Sequence, residues 1–99
     1  MIASDWRAVE KATLRGFFTL ALPSGLIIKD CSVHEKNGRR WVGFPARVQV
    51  DIEGRVRRDP ATGKVLYAQV IDIAGREQRD RFQVAALTAI DEMLGKGSG

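Results

Sequence analysis

The chain has 99 residues, with 16 Lys and Arg against 12 Asp and Glu for a formal net charge of +4, and it holds one Cys and one His. That length supports one domain (residues 1–99) with a single small core, marginal enough that a homodimer sharing the core is expected. The lone Cys31 excludes an internal disulfide, one His and one Cys exclude the common metal spacings, and no run of about 18 apolar residues offers a membrane span. Asp5 and Glu10 stand where a signal peptide would be cationic and then apolar, so a soluble, intracellular protein is expected.

Residues 11–22, KATLRGFFTLAL, put Leu14, Gly16, Phe18, Leu20 and Leu22 on one parity and Thr13, Arg15, Phe17, Thr19 and Ala21 on the other. This alternation predicts a strand with one wholly apolar face. Pro23-Ser24-Gly25 reads as a turn, and a second strand follows from Leu26 to about Glu35. Its Ile27, Cys31 and Val33 share one face, and Asp30, Ser32 and His34 the other. Cys31 reads as a small half-buried residue rather than a reactive thiol.

Asn37-Gly38 predicts a type I′ hairpin turn, which needs φ > 0 at both central positions. A third strand runs from Arg39 to about Val50, with Gly43 and Pro45 as irregularities; Pro cannot donate to a ladder, so the chain is expected to kink near Phe44-Pro45. Residues 51–64, DIEGRVRRDPATGK, read as a long, polar, mobile loop or ribbon, and such loops usually carry function. A fourth strand is expected from Val65 to Ile73. From Gly75 the period changes to a helical one, with Phe82, Ala85, Ala86, Ala89, Ile90 and Met93 on one stripe, ending near Leu94; the tail GKGSG (95–99) reads as disordered. The order β-β-β-β-α over residues 11–73 and 75–94 predicts an α+β fold, a four-stranded antiparallel β-sheet followed by a C-terminal α-helix on one face. There is no internal repeat.

The charge is concentrated in the middle of the chain. From Lys36 to Lys64 eight cations (Lys36, Arg39, Arg40, Arg47, Arg55, Arg57, Arg58, Lys64) stand against three acids (Asp51, Glu53, Asp59), a local balance of +5, while the rest has eight cations and nine acids. Six of the eight are Arg, the side chain that forks onto phosphates and stacks on bases. The bland alternative is a merely solvated face. Neither GxGxxG, GxxxxGK[ST] nor GxSxG occurs, and His34, beside Glu35 at a strand end, reads as a solvent-facing or pairing residue rather than a general base. What remains is a cationic region with aromatics interleaved: Arg39, Arg40, Trp41, Phe44 and Arg47 on strand three and Tyr67 on strand four. That pattern suits single-stranded nucleic acid, although Trp41 and Phe44 equally suit a core. Parity separates the readings: Trp41 shares a face with Arg39 and Gly43, Arg40 with Val42 and Phe44.

The run LRGFFTLALPSGLIIKDCSVHEKNGRRWVGFPAR is similar to the core of the SpoVG septation-regulator family, small bacterial proteins. In that family a strand pair is followed by an Asn/Gly turn, an aromatic-apolar strand and a Met/Phe-Pro-Ser/Ala-Lys/Arg step, here Gly43-Phe44-Pro45-Ala46-Arg47. The likeness spans about residues 14–92, with motif-level agreement in the middle third. It implies a dimeric, sequence-preferring DNA- and RNA-binding regulator without enzymatic activity, in a bacterial or phage setting and a cytoplasmic location, with Arg47 at a basic position implicated in nucleic-acid contact. Val48 departs from the family's usual second basic residue, and the longer loop carries Arg55, Arg57 and Arg58 instead. The strand-helix order also looks like the positive-cofactor type of single-stranded DNA-binding coactivator.

The expected function is a small nucleic-acid-binding regulatory protein, without catalysis, cofactor, metal or small-molecule substrate. It would use Arg39, Arg40, Trp41, Arg47, Arg55, Arg57, Arg58 and Lys64 along one groove, with Tyr67 as a stacking residue. The alternative is a protein-interaction or oligomeric assembly module with no nucleic-acid role; an enzyme using His34 is a distant third.

Overall fold

The computed structural model describes residues 1–95. In chain order its elements are β1 (Ile2–Lys11), β2 (Leu14–Ala21), β3 (Ile27–Lys36), β4 (Arg39–Gly43), β5 (Ala46–Val48), β6 (Tyr67–Gln69) and α1 (Arg76–Leu94). Strands β1 to β4 form one antiparallel sheet in sequence order, and β5 and β6 pair apart from it as a small hairpin. The fold is α+β, a four-stranded antiparallel sheet with one C-terminal helix packed on it, as the sequence predicts, but its four strands are not the four read from the alternation.

The strand that alternation missed is β1. Its pairing with β2 slips twice, between Ser4 and Arg7 and between Ala8 and Lys11, and Asp5 and Ala12 take positive φ (56° and 54°) beside those slips. Each bulge inserts an unpaired residue and inverts the parity of the residues after it, so no period of two survives in MIASDWRAVEK. The Trp6 ring nevertheless packs on the sheet, close enough to Gly16 that a Cβ there would lie 2.5 Å from its Cη2.

The expected third strand breaks at Gly43. Phe44 turns into the core side and meets Phe82 of α1 with ring centroids 5.0 Å apart, and the chain resumes after Pro45 as β5. The expected fourth strand contributes only Tyr67–Gln69, paired with β5 (Ala46↔Gln69, Arg47↔Ala68, Val48↔Tyr67) rather than with the main sheet. Residues 46–69 are a hydrogen-bonded arm, not a loose loop: Gln49 N–H donates to Leu66 O, Arg57 N–H to Gln49 O, Leu66 N–H to Arg57 O and Asp59 N–H to Lys64 O, all at 2.8–3.0 Å. The chain measures 49 × 30 × 26 Å with a radius of gyration of 15.3 Å, against about 13 Å for a compact chain of 100 residues.

Phe18, Leu20, Cys31 and Ile90 form the sealed centre of the core, ringed by Ile28, Val33, Val42, Ala3, Ala86 and Ala89. The two alanines of α1 bring the helix down close onto the sheet. Full burial of each large apolar side chain here stabilises by about 1.5–3 kcal/mol. Two polar clamps fix α1 against the outer strand β4: Gln83 accepts the Val42 N–H at 2.7 Å and donates to the Val42 carbonyl at 2.9 Å, and Arg40 forks onto Asp91. Gly95 ends the helix with φ 75°, its N–H reaching Asp91 O and Glu92 O. The expected disordered tail falls, from residue 96 on, outside the described residues.

Candidate nucleic-acid interface

The β3–β4 register assigns every side chain of this hairpin to a face. Asn37 (φ 53°) and Gly38 (φ 77°) make the two-residue turn the sequence predicts, and counting outward pairs Lys36 with Arg39, Glu35 with Arg40, His34 with Trp41, Val33 with Val42 and Ser32 with Gly43. Val33 and Val42 are buried under α1, which leaves His34, Lys36, Arg39, Trp41 and Gly43 on the open side of the sheet.

Trp41 is 39% exposed. One face of its indole stacks, offset, against the His34 imidazole, with centroids 5.5 Å apart and planes 10° from parallel. His34 is held at both nitrogens, Nδ1 with Thr13 Oγ1 and Nε2 with Ser32 Oγ, each at 3.0 Å. Burial pushes its pKa below the ordinary imidazole value. In the neutral ring one nitrogen donates and the other accepts, roles that two hydroxyls can complement. Gly43, opposite Ser32, leaves the space this pair needs: a Cβ there would come within 2.7 Å of Ser32 Oγ and 3.6 Å of His34 Nε2. A shallow cleft of about 370 Å³ runs beside the indole, lined by Lys36, Arg39, Arg40 and Trp41.

Arg40 belongs to the other face. Its guanidinium donates to Asp91 Oδ1 at 2.7 Å and Oδ2 at 3.0 Å, and that hydrogen bond holds its pKa above the usual arginine value. It is committed to the helix rather than to a shared cationic groove.

The remaining cations sit on the arm, in unequal states. Arg55 is tied to Asp51 at 3.5 Å and to Glu53. Arg57 donates to Gln49 Oε1 at 3.3 Å and Arg58 to the Gly63 carbonyl at 3.1 Å, so both keep an unneutralised charge. Among the described residues the side chains of Lys36, Arg39, Arg47 and Lys64 make no hydrogen bond or ion pair. Tyr67, 60% exposed, stands on β6 opposite Val48 and borders a second cleft, about 360 Å³, with Gly43, Phe44, Pro45, Asp72, Arg79 and Gln83 among its walls. The nine candidate residues therefore divide between the β3–β4 hairpin (Arg39, Trp41), the helix clamp (Arg40) and the arm (Arg47, Arg55, Arg57, Arg58, Lys64, Tyr67), instead of following one groove.

Sequence reading missed His34 as a partner of Trp41, and Thr13 and Ser32 as the groups that pin it. The signal was present: the two-residue Asn37-Gly38 turn forces His34 opposite Trp41. Cys31 is fully buried, and its thiol is pushed up to about 11, first by burial and then by the Asp30 carboxylate, so it is protonated and shielded. No group of three or more His, Cys, Asp or Glu able to hold a metal ion occurs among the described residues, and no described helix is long and apolar enough to cross a membrane.

Comparisons with family models, with curated proteins and with solved structures return no match for this chain.

Proposed function

We propose that this protein is a small nucleic-acid-binding regulatory module without catalytic activity, acting in the cytoplasm as a homodimer and favouring single-stranded DNA or RNA. The observation that carries this reading is the placement of unpaired cations, Lys36 and Arg39 beside the exposed Trp41 and Arg47 and Lys64 on the projecting arm. An unpaired surface cation needs no partner exchanged before it meets a phosphate, and each phosphate neutralised releases counterions. The resemblance of residues 14–92 to the SpoVG family supports the same function, with Arg47 at the basic position of the Gly43–Arg47 step.

Titration of labelled single-stranded DNA, duplex DNA and RNA of equal length across a salt series tests it. Single strands should bind most tightly, and four phosphate contacts would give a slope of log K against log salt near about −3. Absence of binding to all three at low salt would refute it.

One observation favours the reading as an assembly module. Val50, Ile52 and Val56 on the arm are exposed, Ile52 completely, and Arg55 beside them is neutralised by Asp51 and Glu53. An apolar, charge-balanced tip suits a protein surface better than a phosphate backbone. A stable oligomer by light scattering without nucleic-acid binding would favour that alternative.

A further inference from the structure

Trp41 is held as a one-sided platform. One face of its indole stacks, offset, against the His34 ring, with centroids 5.5 Å apart and planes 10° from parallel. That ring cannot tilt freely, since Thr13 Oγ1 and Ser32 Oγ bind its two nitrogens from opposite ends at 3.0 Å. Along β4 the neighbours of Trp41 on the same face are Arg39, a cation with no partner among the described residues, and Gly43, which has no side chain. On the turn side of the indole there is positive charge, and on the other side the place of a side chain at Gly43 is taken by the Ser32–His34 hydrogen bond.

We propose that the face of Trp41 turned away from His34 is the stacking site for one unpaired nucleobase, with His34 as the positioning residue behind it and with Lys36 and Arg39, paired across the hairpin on the turn side of the indole, meeting the phosphate on that side of the base. The proposal rests on the nucleic-acid reading and narrows it to a ligand class. A base inside a duplex has both faces covered by its neighbours, so only an unpaired base offers its π-face to an exposed indole. An aromatic ring already oriented by packing loses little freedom on binding, which favours a platform over a mobile side chain. The neutral state of His34, which burial favours, keeps a further positive charge from crowding Lys36 and Arg39.

The test compares a single-stranded oligothymidine with an abasic phosphodiester of the same length, by fluorescence polarisation at one salt concentration. The wild-type protein should bind the base-bearing strand about 5- to 150-fold more tightly than the abasic one. Trp41→Ala should remove that preference and leave abasic binding unchanged, and Trp41→Phe should keep part of it. His34→Gln should reduce the preference without touching abasic binding, a pattern that loss of fold would not produce, because it would weaken both strands together. Equal binding of both strands by the wild-type protein, with steep salt dependence, would overturn the platform and leave the nucleic-acid reading standing. Binding of neither strand at low salt would overturn both. Equal weakening of both strands by Trp41→Phe and by Trp41→Ala would make Trp41 a structural residue and likewise overturn the proposal.

Discussion

Arg40 and Asp91 join the outer strand of the sheet to the last turns of the helix through two parallel hydrogen bonds of 2.7 and 3.0 Å. The planar guanidinium matches the carboxylate edge to edge. Because β4 is succeeded at once by the Phe44-Pro45 break, this pair and the Gln83 amide hold α1 against the strand that carries Trp41.

Arg40→Ala should therefore act on stability rather than on binding. Both groups are roughly 30% exposed, between the surface and buried regimes, so a loss of about 1–2 kcal/mol is expected. Urea unfolding measures it, and the salt slope for nucleic acid should stay the same.

Gln83→Ala removes both partners of the Val42 backbone. A loss of about 1–3 kcal/mol is expected from the two groups left unsatisfied. Hydrogen exchange gives a local check: the Val42 amide, protected in the native chain, should exchange faster in the variant.

His34 gives the protein a pH response. Burial lowers its folded-state pKa below the unfolded value of about 6.5. Between those two values the unfolded chain binds more protons, so stability rises with pH through that window and is lost as acid is added through the unfolded value towards the folded one. Thermal melts of the wild type against His34→Gln over mildly acidic to neutral pH should show a steeper dependence for the wild type.

Cys31 should be silent in the native state. With its thiol raised to about 11 and fully buried, it should fail to react with a thiol reagent at pH 8 and react fully once urea unfolds the chain. Fast native labelling would contradict its buried position.

The fold class was legible in the sequence because β2, β4 and α1 obey simple periods, whereas in β3 a bulge at Asp30 shifts the register and buries Ile28 with Cys31 and Val33, leaving Ile27, expected on that face, exposed. Leu14 to Ala21 alternates, Asn37-Gly38 announces its turn, and Ala86, Ala89 and Ile90 recur at helical spacing. Strand β1 was not legible, since two bulges around Asp5 and Ala12 erase its alternation. The stretch after Pro45 misled for a different reason: Val65 to Ile73 has strand-like alternation, but its ladder with β5 covers only Tyr67–Gln69, with Val65 bridged singly to Arg58, and pairing is a property of the whole fold. Within the candidate site, charge density marked the cations as a set. It could not separate Arg40, claimed by Asp91 from 51 positions away, or Arg55, claimed by its own neighbours, from the unpaired Arg39 and Arg47. Parity did resolve Trp41, because Val42 beside it is buried under the helix.

The most direct measurement of nucleic-acid binding is the affinity of single-stranded DNA for the wild-type chain and for Arg47→Ala across a salt series. The expected result is tight binding at low salt, a linear fall of log K with log salt, and a slope shallower by about 0.7 in Arg47→Ala, the change for one phosphate no longer neutralised. Salt-independent binding, or identical slopes and affinities for the two proteins, would contradict the assignment of the arm's free cations to the phosphate backbone.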